Sequence, residues 1–110
     1  MTTNLPWLEE VTADAATAGF AQDGESFFLE IHGVTDEKEG LQPGDRLAVS
    51  GGADAEPGDM VVWWTGKART LALARVSDDF SLEGVGGFLP PPEGGNPLVR
   101  GVVVGRLRRL

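Results

Sequence analysis

Turn-forming residues constrain this chain more than any other feature of its sequence. Sixteen glycines and seven prolines are spread along 110 residues. The frequent turns that they impose disfavour a helix-rich architecture. The length is enough for one domain with a modest core, and a hydrophobic content of 41% excludes a disordered tail.

Between the turns, hydrophobic residues alternate with a period of two. In SFFLEIH, the residues Phe27, Leu29 and Ile31 alternate with their neighbours, which is typical of a half-buried strand. The segment MVVWWT at 60–65 is hydrophobic on both faces and predicts a central strand. Six short strands therefore predict a mostly antiparallel, compact β domain over residues 26–110. The other predicted strands lie at 46–49, 70–76, 80–83 and 98–107.

The segment before the first predicted strand, residues 1–25, is interpreted as a short helix or an N-terminal arm. Pro6 suits the first turn of a helix over 5–18, and Glu9 and Glu10 favour its positively charged N-terminus. Between Val11 and the end of this helix at residue 18, the only apolar residues are alanines. A flexible arm is therefore equally compatible with this sequence.

Charge and residue content exclude several classes of function. The absence of cysteine excludes disulfides and thiolate metal sites, and His32 is the only histidine, so no metal or cofactor is expected. A net charge of -8 opposes nucleic-acid binding. The one basic cluster is interpreted as a solvated strand end; it comprises Arg106, Arg108 and Arg109. No segment reaches the roughly 18 apolar residues of a membrane span, and a cytoplasmic protein is expected.

Three motifs, spaced along the chain, indicate a resemblance to a known protein family. They are HGVTDEKEGLQPGDRLAV at 32–49, PGDMVVW at 57–63 and RGVVVGR at 100–106. In this order and spacing they resemble the LexA/UmuD family of self-cleaving repressor and mutagenesis proteins. The segment Ala18-Gly19-Phe20 resembles the cleavage segment of the UmuD branch. Within the first motif, the residues at matching positions are Gly33, Gly40, Leu41, Gly44, Asp45, Leu47 and Val49.

The resemblance implies a β-barrel or β-ribbon fold of the LexA/signal-peptidase type and a Ser–Lys dyad. In the family, the serine attacks the chain's own Ala–Gly bond, here Ala18–Gly19, and a buried neutral lysine takes the proton. Carried over residue by residue, the serine position is Thr35 and the lysine position is Ala74. The dyad is therefore degenerate, and no catalytic residue is expected.

No other pair of side chains is predicted to replace this dyad. The two lysines, Lys38 and Lys67, fall in predicted turns, where their amines stay protonated near neutral pH. A Thr35–His32 pair is conceivable, but residues three apart on an extended segment do not face each other.

Two adjacent tryptophans are candidates for an interface. Because Trp63 and Trp64 are neighbours on a predicted strand, their rings are expected to point to opposite faces. One is expected in the core, and the other either under the N-terminal arm near Trp7 or exposed at a subunit contact. The family dimerises, often through its terminal strand, so the resemblance places Val102 and Val104 at a possible interface.

Together these observations predict a non-catalytic domain for dimerisation or protein-partner binding. The resemblance implies a homodimer in the DNA-damage (SOS) or mutagenesis response, with a polymerase or recombinase as partner. About 25 residues precede the first predicted strand, too few for a helix-turn-helix, so direct DNA binding is not expected. Two alternatives stay open: an active self-cleaving peptidase that uses Thr35 and cuts at Ala18–Gly19, and an unrelated small β-barrel adaptor.

Overall fold

Seven antiparallel strands form a single sheet. The computed structural model describes residues 6–11, 26–33, 40–66, 71–92 and 97–108, and no helix occurs within these ranges. None of these residues therefore belongs to a helix that could span a membrane. The strands are β1 (Trp7–Val11), β2 (Ser26–His32), β3 (Arg46–Ser50), β4 (Met60–Trp64), β5 (Leu71–Val76), β6 (Leu82–Gly84) and β7 (Leu98–Leu107).

The strand order places the last strand in the middle of the sheet. From edge to edge the order is β1-β2-β3-β7-β4-β5-β6, and every neighbouring pair is antiparallel. The sheet curls into a half-barrel, which brings β1 into contact with β5. The prediction of a compact, mostly antiparallel β domain is confirmed. Strand β4 is internal, as its hydrophobic pattern predicted.

The N-terminal segment differs from its prediction. Instead of the predicted helix, Trp7–Val11 forms β1, which pairs with β2 so that Trp7 lies opposite His32 and Val11 lies opposite Phe28. A short isolated helix is marginally stable, whereas the open edge of β2 offers unpaired backbone groups, so strand pairing is favoured. The helix prediction is wrong for these residues, and its part from 12 to 18 lies outside the described ranges.

The first Pro-Gly-Asp motif forms a type II turn ahead of β3. Gly44 has a φ of 91°, which this turn requires at its third position. The Asp45 N–H donates to the Gln42 carbonyl at 3.1 Å, and the Asp45 Oδ2 accepts from the Gln42 N–H at 3.0 Å. The Gly44 N–H donates to the carbonyl of Ile31 on β2 at 2.7 Å. The turn therefore fixes where β3 begins beside β2.

The second Pro-Gly-Asp motif repeats this geometry ahead of β4. Gly58 also has a φ of 91°, and the Asp59 N–H donates to the Glu56 carbonyl at 3.0 Å. The Asp59 Oδ2 accepts from the Glu56 N–H at 2.9 Å, and the Gly58 N–H donates to the carbonyl of Val76 on β5 at 2.8 Å. Two copies of one turn-and-strand unit therefore flank β7, an internal repeat that the sequence analysis missed.

The core covers both faces of the internal strands. On β4, the consecutive residues Val61, Val62 and Trp63 are all buried, and successive side chains on a strand point to opposite faces. Phe28 on β2 is buried as well as Leu29, so that strand is covered on more than the one face predicted. The buried cluster consists of Leu29, Ile31, Leu41, Leu47, Val49, Val61, Val62, Trp63, Ala72, Leu73, Ala74, Val76, Val85, Phe88 and Val102.

Candidate functional site: two apolar clefts beside Trp64

A row of apolar side chains crosses three adjacent strands at one end of the sheet. Leu71 on β5 lies opposite Trp64 on β4, and Trp64 lies opposite Leu98 on β7. Trp64 is 40% exposed and Leu98 is 51% exposed, whereas Leu71 is half-buried against the core. These side chains make this end of the sheet a candidate site for contact with another molecule.

Trp64 and Leu98 line two clefts. The first, here called the charged cleft, has a volume of about 430 Å³. The second, here called the proline cleft, has a volume of about 460 Å³. The charged cleft is lined by Glu10, Phe27, Trp64, Leu71, Leu98 and Arg100. The proline cleft is lined by Trp63, Trp64, Thr65, Gly66, Leu89, Pro90, Pro92, Pro97 and Leu98.

The charged cleft lies between the two ends of the curled sheet. Its lining comes from β1 and β2 on one side and from β4, β5 and β7 on the other. Phe27 and Leu71 pack against the core, while Glu10 and Arg100 carry opposite charges. Such a cleft can bury an apolar side chain and orient a polar group of a ligand. The residues described in its lining include no serine, threonine, cysteine or lysine.

The proline cleft has a rigid apolar wall. Its prolines have a fixed φ and no N–H, so the wall loses little conformational entropy when a ligand binds. Leu89 is 47% exposed beside them, and Trp63 is buried. The Nε1–H of Trp63 has no hydrogen-bond acceptor among the residues that the structure describes. Packing therefore holds this ring in place.

The structure places the two tryptophans on opposite faces, as expected. Trp63 is 3% exposed in the core, and Trp64 is the exposed one. Trp7 on β1 stacks on the ring of His32, with 4.5 Å between centroids. On β7, Val102 is buried in the core and Val104 is half-buried. Because β7 is paired on both sides, its backbone is not open to a second chain, and an interface at these valines stays a prediction.

The predicted dyad positions are only partly described. Ala74 is fully buried on β5, where it lies opposite Val61 on β4 and Gly84 on β6. Thr35 and the cleavage-like pair Ala18–Gly19 lie outside the described residues. The structure therefore shows a buried methyl group at the position that the resemblance assigns to lysine.

The basic cluster near the C-terminus is more than a solvated strand end. The guanidinium of Arg108 donates from Nε to Asp45 Oδ1 at 3.0 Å and from Nη2 to Asp45 Oδ2 at 3.1 Å. This pairing holds the pKa of Arg108 above its usual value. Arg108 Nη2 and Arg106 Nη1 also donate to the Gly40 carbonyl. Arg109 lies outside the described residues. Arg108 thus holds the turn before β3, and Arg106 contacts the residue two positions ahead of that turn. The sequence did not predict either contact.

One cluster of side chains has the composition of a metal site. Glu9 on β1 and Glu30 and His32 on β2 place one ligand atom each within 4.8 Å of the others. His32 Nε2 lies 2.9 Å from Glu9 Oε1 and 3.2 Å from Glu30 Oε2. No metal site was expected from the sequence. The pairing of Glu9 with His32 was not predictable, because Glu9 falls in a segment that was predicted to be a helix or an arm.

The comparisons with known proteins identify no family for this chain. No protein-family model, curated protein or solved structure matches the chain. The resemblance to the LexA/UmuD family therefore rests on the three sequence motifs.

Proposed function

We propose that this chain is a non-catalytic domain of the LexA/UmuD type that binds a second copy of itself or another protein. The observation that carries the proposal is the exposed pair Trp64 and Leu98, which lines both the charged cleft and the proline cleft. Large apolar side chains beside preformed clefts are typical of the central contacts of protein interfaces. Exposing them to water in an isolated chain is unfavourable.

The arrangement of the motifs supports the family part of the proposal. The first motif contains the turn and strand β3, the second contains the equivalent turn and β4, and the third lies on β7. These three strands are adjacent in the order β3-β7-β4. Segments that are far apart in the sequence thus form one continuous unit in the middle of the sheet, which is compatible with one shared architecture.

The residue at the lysine position supports the non-catalytic part. Ala74 is fully buried and has no group that can take a proton from a nucleophile. Removing one member of a nucleophile–base pair lowers rates by about 10³–10⁶-fold. We therefore expect the fold to serve binding alone.

The resemblance also supplies a biological setting for the proposal. It implies a homodimer, a cytoplasmic location and a role in the DNA-damage or mutagenesis response. The protein partners that it implies are a polymerase or a recombinase. Each of these rests on the family analogy alone.

Sedimentation of matched variants tests the proposal. Leu98→Asp puts a charge into both clefts, whereas Phe80→Asp removes a more exposed apolar side chain from the β5–β6 turn, outside both clefts. We expect the wild type to self-associate, or to cosediment with recombinase filaments or a polymerase. Leu98→Asp should weaken that association tenfold or more, and Phe80→Asp should leave it unchanged.

Two results would contradict the proposal. One is a wild-type chain that neither self-associates nor binds these partners at any concentration tested. The other is an association that Leu98→Asp and Phe80→Asp weaken equally, because the clefts would then have no specific part in it.

A further inference from the structure

We infer that Glu9, Glu30 and His32 form a binding site for a divalent metal ion of the zinc class. The site joins the edge strand β1 to β2. It uses none of the side chains that line the two clefts, so it does not depend on the proposed function.

The spacing of the ligand atoms fits one tetrahedral ion. Zinc binds histidine nitrogen and carboxylate oxygen at about 2.0–2.2 Å, which places neighbouring ligand atoms about 3.3 Å apart. His32 Nε2 already lies 2.9 Å from Glu9 Oε1 and 3.2 Å from Glu30 Oε2. Small rotations of the two carboxylates would admit the ion. Three protein ligands leave the fourth position to water.

The strand register brings these ligands to one face. Glu9 lies directly opposite Glu30, and Trp7 lies directly opposite His32, so all four side chains project from the same side of the β1–β2 pair. This side is opposite to the one from which Leu29 projects into the core. The ligand set is therefore a product of strand pairing rather than of one flexible segment.

Neighbouring groups hold two of the ligands in position. The Trp7 ring stacks on His32 at 4.5 Å with 21° between the ring planes. Arg46 Nε donates to Glu30 Oε1 at 3.1 Å, which leaves Oε2 toward His32. Contacts of this kind fix the orientation of the ligand side chains.

The chemistry of the ligands selects the class of ion. Glu9 and Glu30 lie directly opposite each other on neighbouring strands, so one divalent cation between them would pair with both carboxylates. An imidazole nitrogen favours zinc, copper or nickel, whereas calcium and magnesium prefer sites made of oxygen alone. The site lies on a chain with a net charge of -8, which attracts cations.

Titration of the metal-free protein with Zn²⁺ tests this inference. Calorimetry gives the affinity, and thermal unfolding gives the shift in Tm. At zinc concentrations tenfold above the Kd, we expect Tm to rise by about 4 °C or more. Cu²⁺ should bind more tightly and quench part of the tryptophan fluorescence, because Trp7 contacts His32.

Three variants locate the ion. His32→Gln and Glu9→Gln each remove one ligand and should lower the zinc affinity at least tenfold. Glu10→Gln removes the same charge from the same strand outside the cluster and should keep the wild-type affinity. The unfolding curve of each variant without metal shows whether that variant folds. The two ligand variants test the position of the ion independently of each other.

Loss of binding in both ligand variants with retention in Glu10→Gln supports the site. The inference is overturned if zinc neither releases heat nor shifts Tm in the wild type. It is also overturned if either folded ligand variant binds zinc as tightly as the wild type, because the ion would then lie elsewhere.

Discussion

The carboxylate of Asp45 is paired with the guanidinium of Arg108 across 63 residues of sequence. Asp45 is only 1% exposed, and both of its oxygens accept hydrogen bonds from Arg108. The same carboxylate closes the turn before β3 by accepting the Gln42 N–H. One side chain therefore fixes a turn and attaches the residue after β7 to it. Asp59 closes an equivalent turn, and the structure shows no arginine pair for it in the part of the chain that it describes.

The two aspartates allow a matched test of this pairing. Asp59→Ala removes a turn contact and should lower the free energy of unfolding by about 1 kcal/mol. Asp45→Ala removes the same contact and also the buried carboxylate that pairs with the exposed Arg108 guanidinium, and should lower it by about 3 kcal/mol. Urea unfolding of both variants checks the difference. Equal destabilisation would show that Arg108 adds nothing to the fold.

The lowered pKa of Asp79 predicts that the fold loses stability at acidic pH. Hydrogen bonds from the Ser77 and Ser81 hydroxyls, at 2.5 and 2.6 Å, lower the pKa of Asp79 from its usual 3.8 to about 2. Because the folded pKa is the lower one, the ionised carboxylate stabilises the folded state. Its contribution is complete above about pH 4 and is lost as the pH falls through about 2.

The comparison of wild type with Asp79→Asn isolates this effect. The stability advantage of the wild type should shrink between about pH 4 and pH 2 in urea unfolding experiments. Asp59→Asn serves as the control for acid effects that other carboxylates cause. An advantage that stays constant over this range would show that the two serines do not favour the ionised form.

Phe80 occupies a conformation that is unfavourable for its residue type. It has a φ of 66° in the turn between β5 and β6 and is 65% exposed. Asparagine tolerates this left-handed region better than alanine does. We therefore expect Phe80→Asn to be more stable than Phe80→Ala by about 0.5–1 kcal/mol in thermal or urea unfolding. If the alanine variant is equally or more stable, the turn does not impose this conformation in solution.

Gly101 lies where β7 approaches β3 too closely to leave space for a side chain. A β-carbon at this position would lie 2.6 Å from Val49 Cγ1 and 2.8 Å from the Ser50 carbonyl oxygen. The backbone carbonyl cannot move away without breaking strand pairing, so Gly101→Ala should destabilise the fold by about 1–3 kcal/mol. Unfolding experiments measure this loss. A neutral substitution would mean that the two strands are further apart than described.

The strands were predictable because their signals are local. The alternation in SFFLEIH and the valines of β7 predicted β2 and β7 with the bounds that the structure shows. The adjacent tryptophans predicted rings on opposite faces with one of them in the core, since period-two geometry needs no tertiary information. The exposed Leu98 was missed, although it lies next to a proline at the start of a predicted strand.

The features that the sequence did not predict depend on pairing between residues that are far apart in the chain. The segment Trp7–Val11 has acidic residues that suit a helix N-terminus, and it becomes a strand only because β2 has an open edge. Glu9 and His32 are 23 residues apart and meet through that pairing. Asp45 and Arg108 likewise meet only after β7 has been placed beside β3. The periodicity and composition of a sequence do not show which residues of distant strands lie opposite each other.

The central claim, that this domain binds rather than cuts, is tested most directly by intact mass. Purified protein is incubated from about pH 7 to pH 10, a range in which lysine amines begin to lose their protons, with and without recombinase filaments. We predict that the full-length chain persists in every condition. A fragment of residues 19–110 that forms in the wild type and is absent from Thr35→Ala would contradict the account and identify the chain as a self-cleaving enzyme.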